Sequence, residues 1–94
     1  MSKSKPVEKP ARAAARTPTI AGLRAGIDRI DRELVQLMNQ RAKLAHEIGK
    51  IKDANGMVAY DPAREEEVLA RISEMNRGPL PAQGLRAIYR ELIS

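Results

Sequence analysis

The feature that most constrains this sequence is a long run of apolar residues at helical spacing, uninterrupted by proline. Its members are Ile20, Leu23, Ile27, Ile30, Leu34, Leu37, Leu44, Ile48 and Ile51. Steps of three and four place such residues on one face of an α-helix. A helix of about 33 residues would be roughly 50 Å long, whereas a globule of about 75 residues has a radius of gyration of about 11 Å. The helix must therefore protrude, and we expect a second copy of the chain to cover its apolar face.

A break and a second helix follow the long helix. Residues 53–60 interrupt the pattern, with Asn55 and Gly56 predicted as a turn. Asp61 before Pro62 is typical of an N-cap followed by the first residue of a helix. The apolar face of this second helix consists of Val68, Leu69, Ile72 and Met75. Gly78 is the predicted C-terminal cap, and Pro79 prevents continuation.

A third helical pattern runs to the end of the sequence. Its apolar residues are Leu85, Ile88, Tyr89, Leu92 and Ile93. No stretch alternates apolar and polar residues in the way that a half-buried strand does. We therefore predict an all-α fold with three helices per protomer, the first of them long.

The charge distribution separates a leader from a folded domain. The formal net charge is +5, but residues 1–19 contain five basic residues and one acidic residue. We interpret residues 1–19 as a disordered basic leader and residues 20–94 as one nearly neutral domain. With two tyrosines as its only aromatic residues, the domain offers no stacking surface for bases, so we expect no nucleic-acid partner.

The composition also argues against several kinds of site and location. The chain has no cysteine and one histidine, which disfavours a metal site. That histidine, His46, is predicted to lie on a solvated face. No apolar run approaches the roughly 20 residues that span a bilayer, so we expect no membrane partner and a cytoplasmic location.

One position in the long apolar face is occupied by an arginine. The step from Leu37 to Leu44 skips Arg41, and an uncompensated buried cation costs several kcal/mol. Lys52 follows eleven residues later, which is three turns plus about 20°, so both cations share a face about 16 Å apart. We expect two such side chains to close around a small anionic molecule.

The first turn of the second helix adds further charges. Arg64 and Glu65 lie one turn before Val68 and Leu69, so they extend an apolar face. A local ion pair is the alternative interpretation for these two residues, and a simple helix cap is the alternative for Asp61. No nucleophile with an adjacent base and no glycine-rich phosphate loop is present. The residues suit a small polyanion with a hydroxyl, and a reaction that needs only positioning and electrostatics.

The joint spacing of these residues resembles the all-helical class of chorismate mutase. The first segments that carry the resemblance are Leu23, Arg24, Ile27, Ile30 and Asp31, then Leu37, Arg41, Leu44, Ala45, Ile48, Gly49 and Lys52. The later ones are Tyr60, Asp61, Pro62, Arg64 and Glu65, then residues 76–80 and 85–93. Together they cover about residues 20–94. The resemblance implies an intertwined homodimer that converts chorismate to prephenate without a cofactor, on the route to phenylalanine and tyrosine.

The resemblance also implies residue roles. Arg24 and Arg41 would bind the two substrate carboxylates, and Lys52 would donate to the ether oxygen whose bond breaks. Glu65 and Asp61 would hold the region of the ring hydroxyl. Arg64 would complete the cationic lining. Arg41, Lys52 and Glu65 are thus the predicted catalytic residues.

Helix geometry adds a condition on two of these residues. Arg24 and Arg41 are seventeen residues apart, which is about 25 Å along one helix and about 100° around it. They cannot reach one small ligand from the same helix. If two first helices pack antiparallel, Arg24 of one chain can lie near Arg41 of the other, so the site would be shared between chains.

The sequence departs from the family at its end. The third helix of the family continues past the position of Ser94 and contributes a serine and a glutamine, and neither role transfers to Ser94 or Gln83. Three interpretations stay open: a shortened chain, one domain of a longer bifunctional enzyme, or a variant with reduced activity. Two alternative functions remain: a non-catalytic dimerisation or regulatory module, and an isochorismate pyruvate lyase. Glu65 favours the mutase over the lyase.

Overall fold

The computed structural model describes residues 17–93, and all regular structure in that range is helical. The elements in chain order are α1 (Ile20–Ala54), α2 (Pro62–Met75) and α3 (Ala82–Ile93). The prediction of three helices with a long first helix is confirmed. The predicted leader lies outside the described residues except for residues 17–19, which are not helical.

Contacts divide the chain into two units, with the division between Val35 and Gln36 inside α1. In the first unit, Thr19 begins α1: its hydroxyl oxygen accepts a hydrogen bond from the Gly22 N–H at 3.0 Å. Its carbonyl accepts another from the Leu23 N–H at 2.9 Å. The first bond satisfies an N–H group that has no carbonyl partner within the helix, and the second is the first regular backbone bond of α1.

The second unit contains the rest of α1 together with α2 and α3. Here α2 packs against α3, and Leu69 and Ile72 of α2 are buried, with 3% and 4% of their surface exposed. They are the only buried apolar residues within residues 17–93. A core of two side chains contributes little, because complete burial of one Leu or Ile is worth about 1.5–3 kcal/mol.

The end of α1 differs from the expected break at Asp53, because the helix continues through Ala54. The Met57 N–H donates to the Lys52 carbonyl at 2.7 Å, and the Gly56 N–H donates to the Asp53 carbonyl at 3.1 Å. This pair of bonds is a Schellman motif, which places the residue after the cap in the left-handed region. Gly56 occupies that position with φ = 69°, as the predicted turn requires.

The end of α2 also corrects a prediction, because its C-terminal cap is Asn76 and not Gly78. The Asn76 amide oxygen accepts a hydrogen bond from the Gly78 N–H at 3.0 Å, and its amide nitrogen donates to the Leu80 carbonyl at 2.8 Å. A polar side chain therefore organises the reversal between α2 and α3. Gly78 supplies a positive φ of 74° two residues later.

Candidate active site

The second unit contains a cavity of about 430 Å³, a size typical of pockets for small molecules. Five charged residues line it: Arg41, Lys52, Asp61, Arg64 and Glu65. The rest of the wall is Leu44, Ala45, Ile48, Gly49, Ala59, Val68 and Ile93. The structure thus brings five of the six predicted site residues to one cavity.

Arg41 is half-buried and is held by two neutral groups from α3. Its guanidinium carbon lies 5.8 Å from the centre of the Tyr89 ring, within the range of a cation–π interaction. Its Nη1 donates a long hydrogen bond of 3.4 Å to the Leu92 carbonyl. The ion pairs found within residues 17–93 do not include Arg41. Its positive charge is therefore not neutralised by a carboxylate of the described chain.

Lys52 meets Asp61 across the turn that follows α1. The Lys52 Nζ lies 3.6 Å from the Asp61 Oδ2, and the two side chains are 21% and 46% exposed. The other carboxylate oxygen, Oδ1, accepts from the Arg64 N–H at 3.1 Å. Asp61 therefore caps α2, as predicted, and at the same time fixes the ammonium group of Lys52 near the start of α2.

Arg64 lines the cavity but also has an ion-pair partner on the exposed side of α2. Its Nη1 lies 2.7 Å from the Glu67 Oε1, and both side chains are more than half exposed. The hydrogen bond from Arg64, and then its charge, hold the pKa of Glu67 below its usual range. Sequence reasoning considered Glu65 as the local partner of Arg64. The partner found in the structure is Glu67.

Glu65 is half-buried in the first turn of α2, and it faces the cavity. Among the hydrogen bonds and ion pairs of residues 17–93, none involves its side chain. A carboxylate without a protein partner at a cavity wall can accept a hydrogen bond from a ligand hydroxyl. The arrangement leaves Glu65 available for that role.

The remaining predicted residues lie elsewhere or outside the described range. Arg24 belongs to the first unit, where it is exposed. His46 is exposed, as predicted, and Gln83 is exposed at the start of α3. Ser94 lies outside the described residues. Within residues 17–93, no cluster of three His, Cys, Asp or Glu side chains could hold a metal ion.

Sequence reasoning missed several residues of the cavity wall and also the contact that Tyr89 makes with Arg41. The helical spacing of Tyr89 identified it as part of the apolar face of α3, but nothing local indicated that its ring would meet Arg41, which is 48 positions earlier. The missed residues of the wall itself are Ala59, Val68 and Ile93. Their small or apolar side chains carry no signal that separates a cavity wall from an ordinary core.

Comparison with known proteins identifies the family. The family model described as chorismate mutase type II matches residues 23–94. The chain belongs to this family. It is 44% identical over 71 residues to a bifunctional chorismate mutase/prephenate dehydratase of Neisseria gonorrhoeae, which covers 76% of this chain and 19% of that protein. A bifunctional relative from Aquifex aeolicus is 45% identical over 76 residues, covering 77% and 21%. This chain therefore spans about a fifth of the length of these relatives.

A solved structure of the chorismate mutase family matches the fold. The chorismate mutase of Thermus thermophilus superposes with a TM-score of 0.75 at 40% identity, covering 78% of this chain and 91% of that one. The intracellular chorismate mutase of Mycobacterium bovis is 40% identical over 58 residues, covering 62% of this chain and 55% of that protein.

None of the helices within residues 17–93 combines the length and the hydropathy that a membrane span requires.

Proposed function

We propose that this chain catalyses the rearrangement of chorismate to prephenate in aromatic amino acid biosynthesis. The observation that carries the proposal is the cavity, where Arg41, Lys52 and Arg64 converge with Glu65 and Asp61 over an apolar wall. Chorismate carries two carboxylates, a ring hydroxyl and an ether bond. The charged groups of the cavity match these features, and relatives that share the fold are named chorismate mutases.

Substrate binding begins with the carboxylates. Arg41 has N–H donors and an unneutralised charge at the cavity wall, so it binds one carboxylate as a charge-assisted pair. Arg24 of a second chain binds the other. Holding the flexible dianion in a compact conformation brings the two reacting ends together, and such preorganisation can supply several kcal/mol of the barrier.

Lys52 acts on the charge that develops as the ether bond breaks. Its ammonium group is already fixed by Asp61 at 3.6 Å, so little reorganisation is needed when negative charge builds on the ether oxygen. Loss of one such preorganised donor typically lowers kcat by about 10²–10³. The rearrangement requires no proton transfer, and we assign no acid or base.

The carboxylates of Glu65 and Asp61 determine how the substrate is oriented in the pocket. Glu65 accepts the hydrogen bond of the ring hydroxyl, since its side chain lies at the cavity wall without a protein partner in the described chain. Asp61 holds Lys52 beside the same region. Arg64 completes the cationic lining once it leaves Glu67.

The functional form in this proposal is an intertwined homodimer with sites shared between the chains. Its support is the apolar face of α1, which the single chain leaves open: Leu23, Leu34 and Ile48 are 57%, 47% and 55% exposed. A face of this kind is normally covered by another helix. Antiparallel packing of two α1 helices would cover it, and would also supply Arg24 to a site built around Arg41 of the partner.

We further propose that residues 20–94 form a chorismate mutase domain and that residues 1–19 take no part in the site. The cavity is lined by residues from Arg41 onward, and the family match begins at residue 23. We propose a cytoplasmic location, with chorismate as the small-molecule partner and no role for nucleic acid.

The product formed by the purified chain tests the proposed function. The protein is incubated separately with chorismate and with isochorismate, and the products are followed by proton NMR. Prephenate from chorismate supports the mutase. Pyruvate released from isochorismate, without prephenate in the first reaction, would instead identify a lyase. Conversion of neither compound would identify a non-catalytic module with this fold.

A further inference from the structure

The pocket cations differ in how they are held. Lys52 and Arg64 each have a carboxylate within ion-pair distance, at 3.6 Å and 2.7 Å. Arg41 is held instead by the Tyr89 ring and the Leu92 carbonyl. A carboxylate partner competes with an anionic ligand, whereas a ring face and a carbonyl orient a guanidinium and leave its net charge unchanged.

We infer that Tyr89 is a positioning residue for Arg41, which holds the guanidinium at the cavity wall while leaving its charge for the ligand. The side chain of arginine has about 2 kcal/mol of rotamer entropy to lose when it is ordered. The flat ring restricts the guanidinium on one face and the carbonyl fixes one N–H. The remaining donors are thereby ordered before the ligand arrives, which lowers the entropic cost of binding.

The position of Leu92 strengthens this inference. Leu92 lies in the last turn of α3 (Ala82–Ile93), and carbonyl groups in the last turn carry the negative end of the helix dipole. A cation there is stabilised without an acidic side chain. Tyr89 and Leu92 are three residues apart and share one face of α3, so a single helical turn supplies both anchors.

Substitutions at Tyr89 separate positioning from simple packing. This test assumes the proposed function only for the identity of the substrate. Tyr89→Leu removes the ring, whereas Tyr89→Phe keeps it and removes the hydroxyl. Because Arg41 would hold a carboxylate equally in the ground and transition states, we expect Tyr89→Leu to raise KM for chorismate about 3- to 10-fold with kcat nearly unchanged. We expect Tyr89→Phe to behave as the parent.

A matched control uses the other tyrosine of the chain. Tyr60 is 71% exposed and does not line the cavity, so Tyr60→Leu should leave KM unchanged. If Tyr89→Leu does not fold by circular dichroism, Tyr89→Met takes its place, because methionine fills irregular space in a core. An unchanged KM in a folded variant without the ring would overturn the inference.

A measurement that does not depend on turnover keeps this inference distinct from the proposed function. In proton NMR spectra, the resonances of the Arg41 side chain can be assigned by their absence from an Arg41→Lys sample. Their chemical shifts should show a ring-current displacement in the parent protein and in Tyr89→Phe. The displacement should disappear in Tyr89→Leu or Tyr89→Met. Its presence without any turnover would refute the proposed activity but support the positioning role. Its absence from the parent would overturn the positioning role whatever the activity.

Discussion

The guanidinium carbon of Arg41 lies 5.8 Å from the centre of the Tyr89 ring, so a cation from α1 is anchored by an aromatic residue from α3. This relationship explains why an arginine occupies the apolar face of a helix. Its aliphatic part can lie along apolar neighbours while its charged end reaches a cavity. The charged end of Arg41 is thus available to a negatively charged ligand, since no described carboxylate pairs with it.

Glu67→Gln should strengthen substrate binding slightly. Glu67 holds the Arg64 guanidinium by a 2.7 Å bond on the exposed side of α2, and this pair must open for Arg64 to contact substrate. Because exposed ion pairs are weak, the expected fall in KM is less than about fivefold. Glu66→Gln, which changes an exposed neighbour, is the control for the lost charge. A rise in KM for Glu67→Gln alone would mean that the pair positions Arg64 for binding.

The same variant should alter the pH dependence of stability. Arg64 lowers the pKa of folded Glu67, so this group stabilises the fold above its unfolded pKa, and the contribution is lost as pH falls through the folded pKa. Urea unfolding at neutral and acid pH should therefore find the parent more stable than Glu67→Gln only near neutrality. A difference that grows on acidification would contradict the assigned cause.

Gly49→Ala should raise the stability of the helix but impair binding. Gly49 lies inside α1 and lines the cavity, and a Cβ added there would have no heavy atom within 4 Å. Alanine is favoured over glycine in helix interiors by about 1 kcal/mol. Its methyl group would, however, project into the cavity and take up volume that the proposed substrate occupies. We expect a higher midpoint of thermal unfolding together with a higher KM. Gly26→Ala, at another open position of α1, controls for helix propensity. An equal KM in both variants would exclude Gly49 from the binding surface.

Leu34→Glu should disrupt the proposed dimer. Leu34 lies on the open apolar face of α1 and is 47% exposed in the single chain. A carboxylate there would remove the gain from burying the exposed half of Leu34, about 1 kcal/mol in each chain, and would place a charge in an apolar interface. Sedimentation velocity should find a dimer for the parent and for Gln36→Glu, which changes the adjacent polar side. A parent that sediments as a monomer at all concentrations would contradict the shared site.

The helices could be predicted from the sequence because their signals are local. The apolar spacing from Ile20 to Ile51 predicted α1, and Asp61 before Pro62 predicted the start of α2. The end of α2 was harder to predict because Asn76 and Gly78 are both good candidates for a cap. Only the hydrogen bonds of the Asn76 side chain distinguish the two.

The charged residues that line the cavity could be predicted from the sequence, but the partners of those charges could not. The spacing of Arg41 and Lys52 placed both at one cavity. The partners of the charges depend on the rotamers of long side chains and on contacts distant in sequence. Arg64 could reach either Glu65 or Glu67, and the ring of Tyr89 meets Arg41 only because α3 returns to α1. A sequence pattern contains neither fact.

The most direct test of the account is the turnover of chorismate by the parent, Lys52→Ala and Lys50→Ala proteins. Lys50 is a suitable control because it lies on the same helix, pairs with Glu47 at 3.2 Å and is 63% exposed. We predict loss of chorismate absorbance with the parent and with Lys50→Ala, and a rate lower by about 10²–10³ with folded Lys52→Ala. Equal rates for Lys52→Ala and Lys50→Ala would contradict the role proposed for Lys52, and no turnover by the parent would contradict the proposed activity.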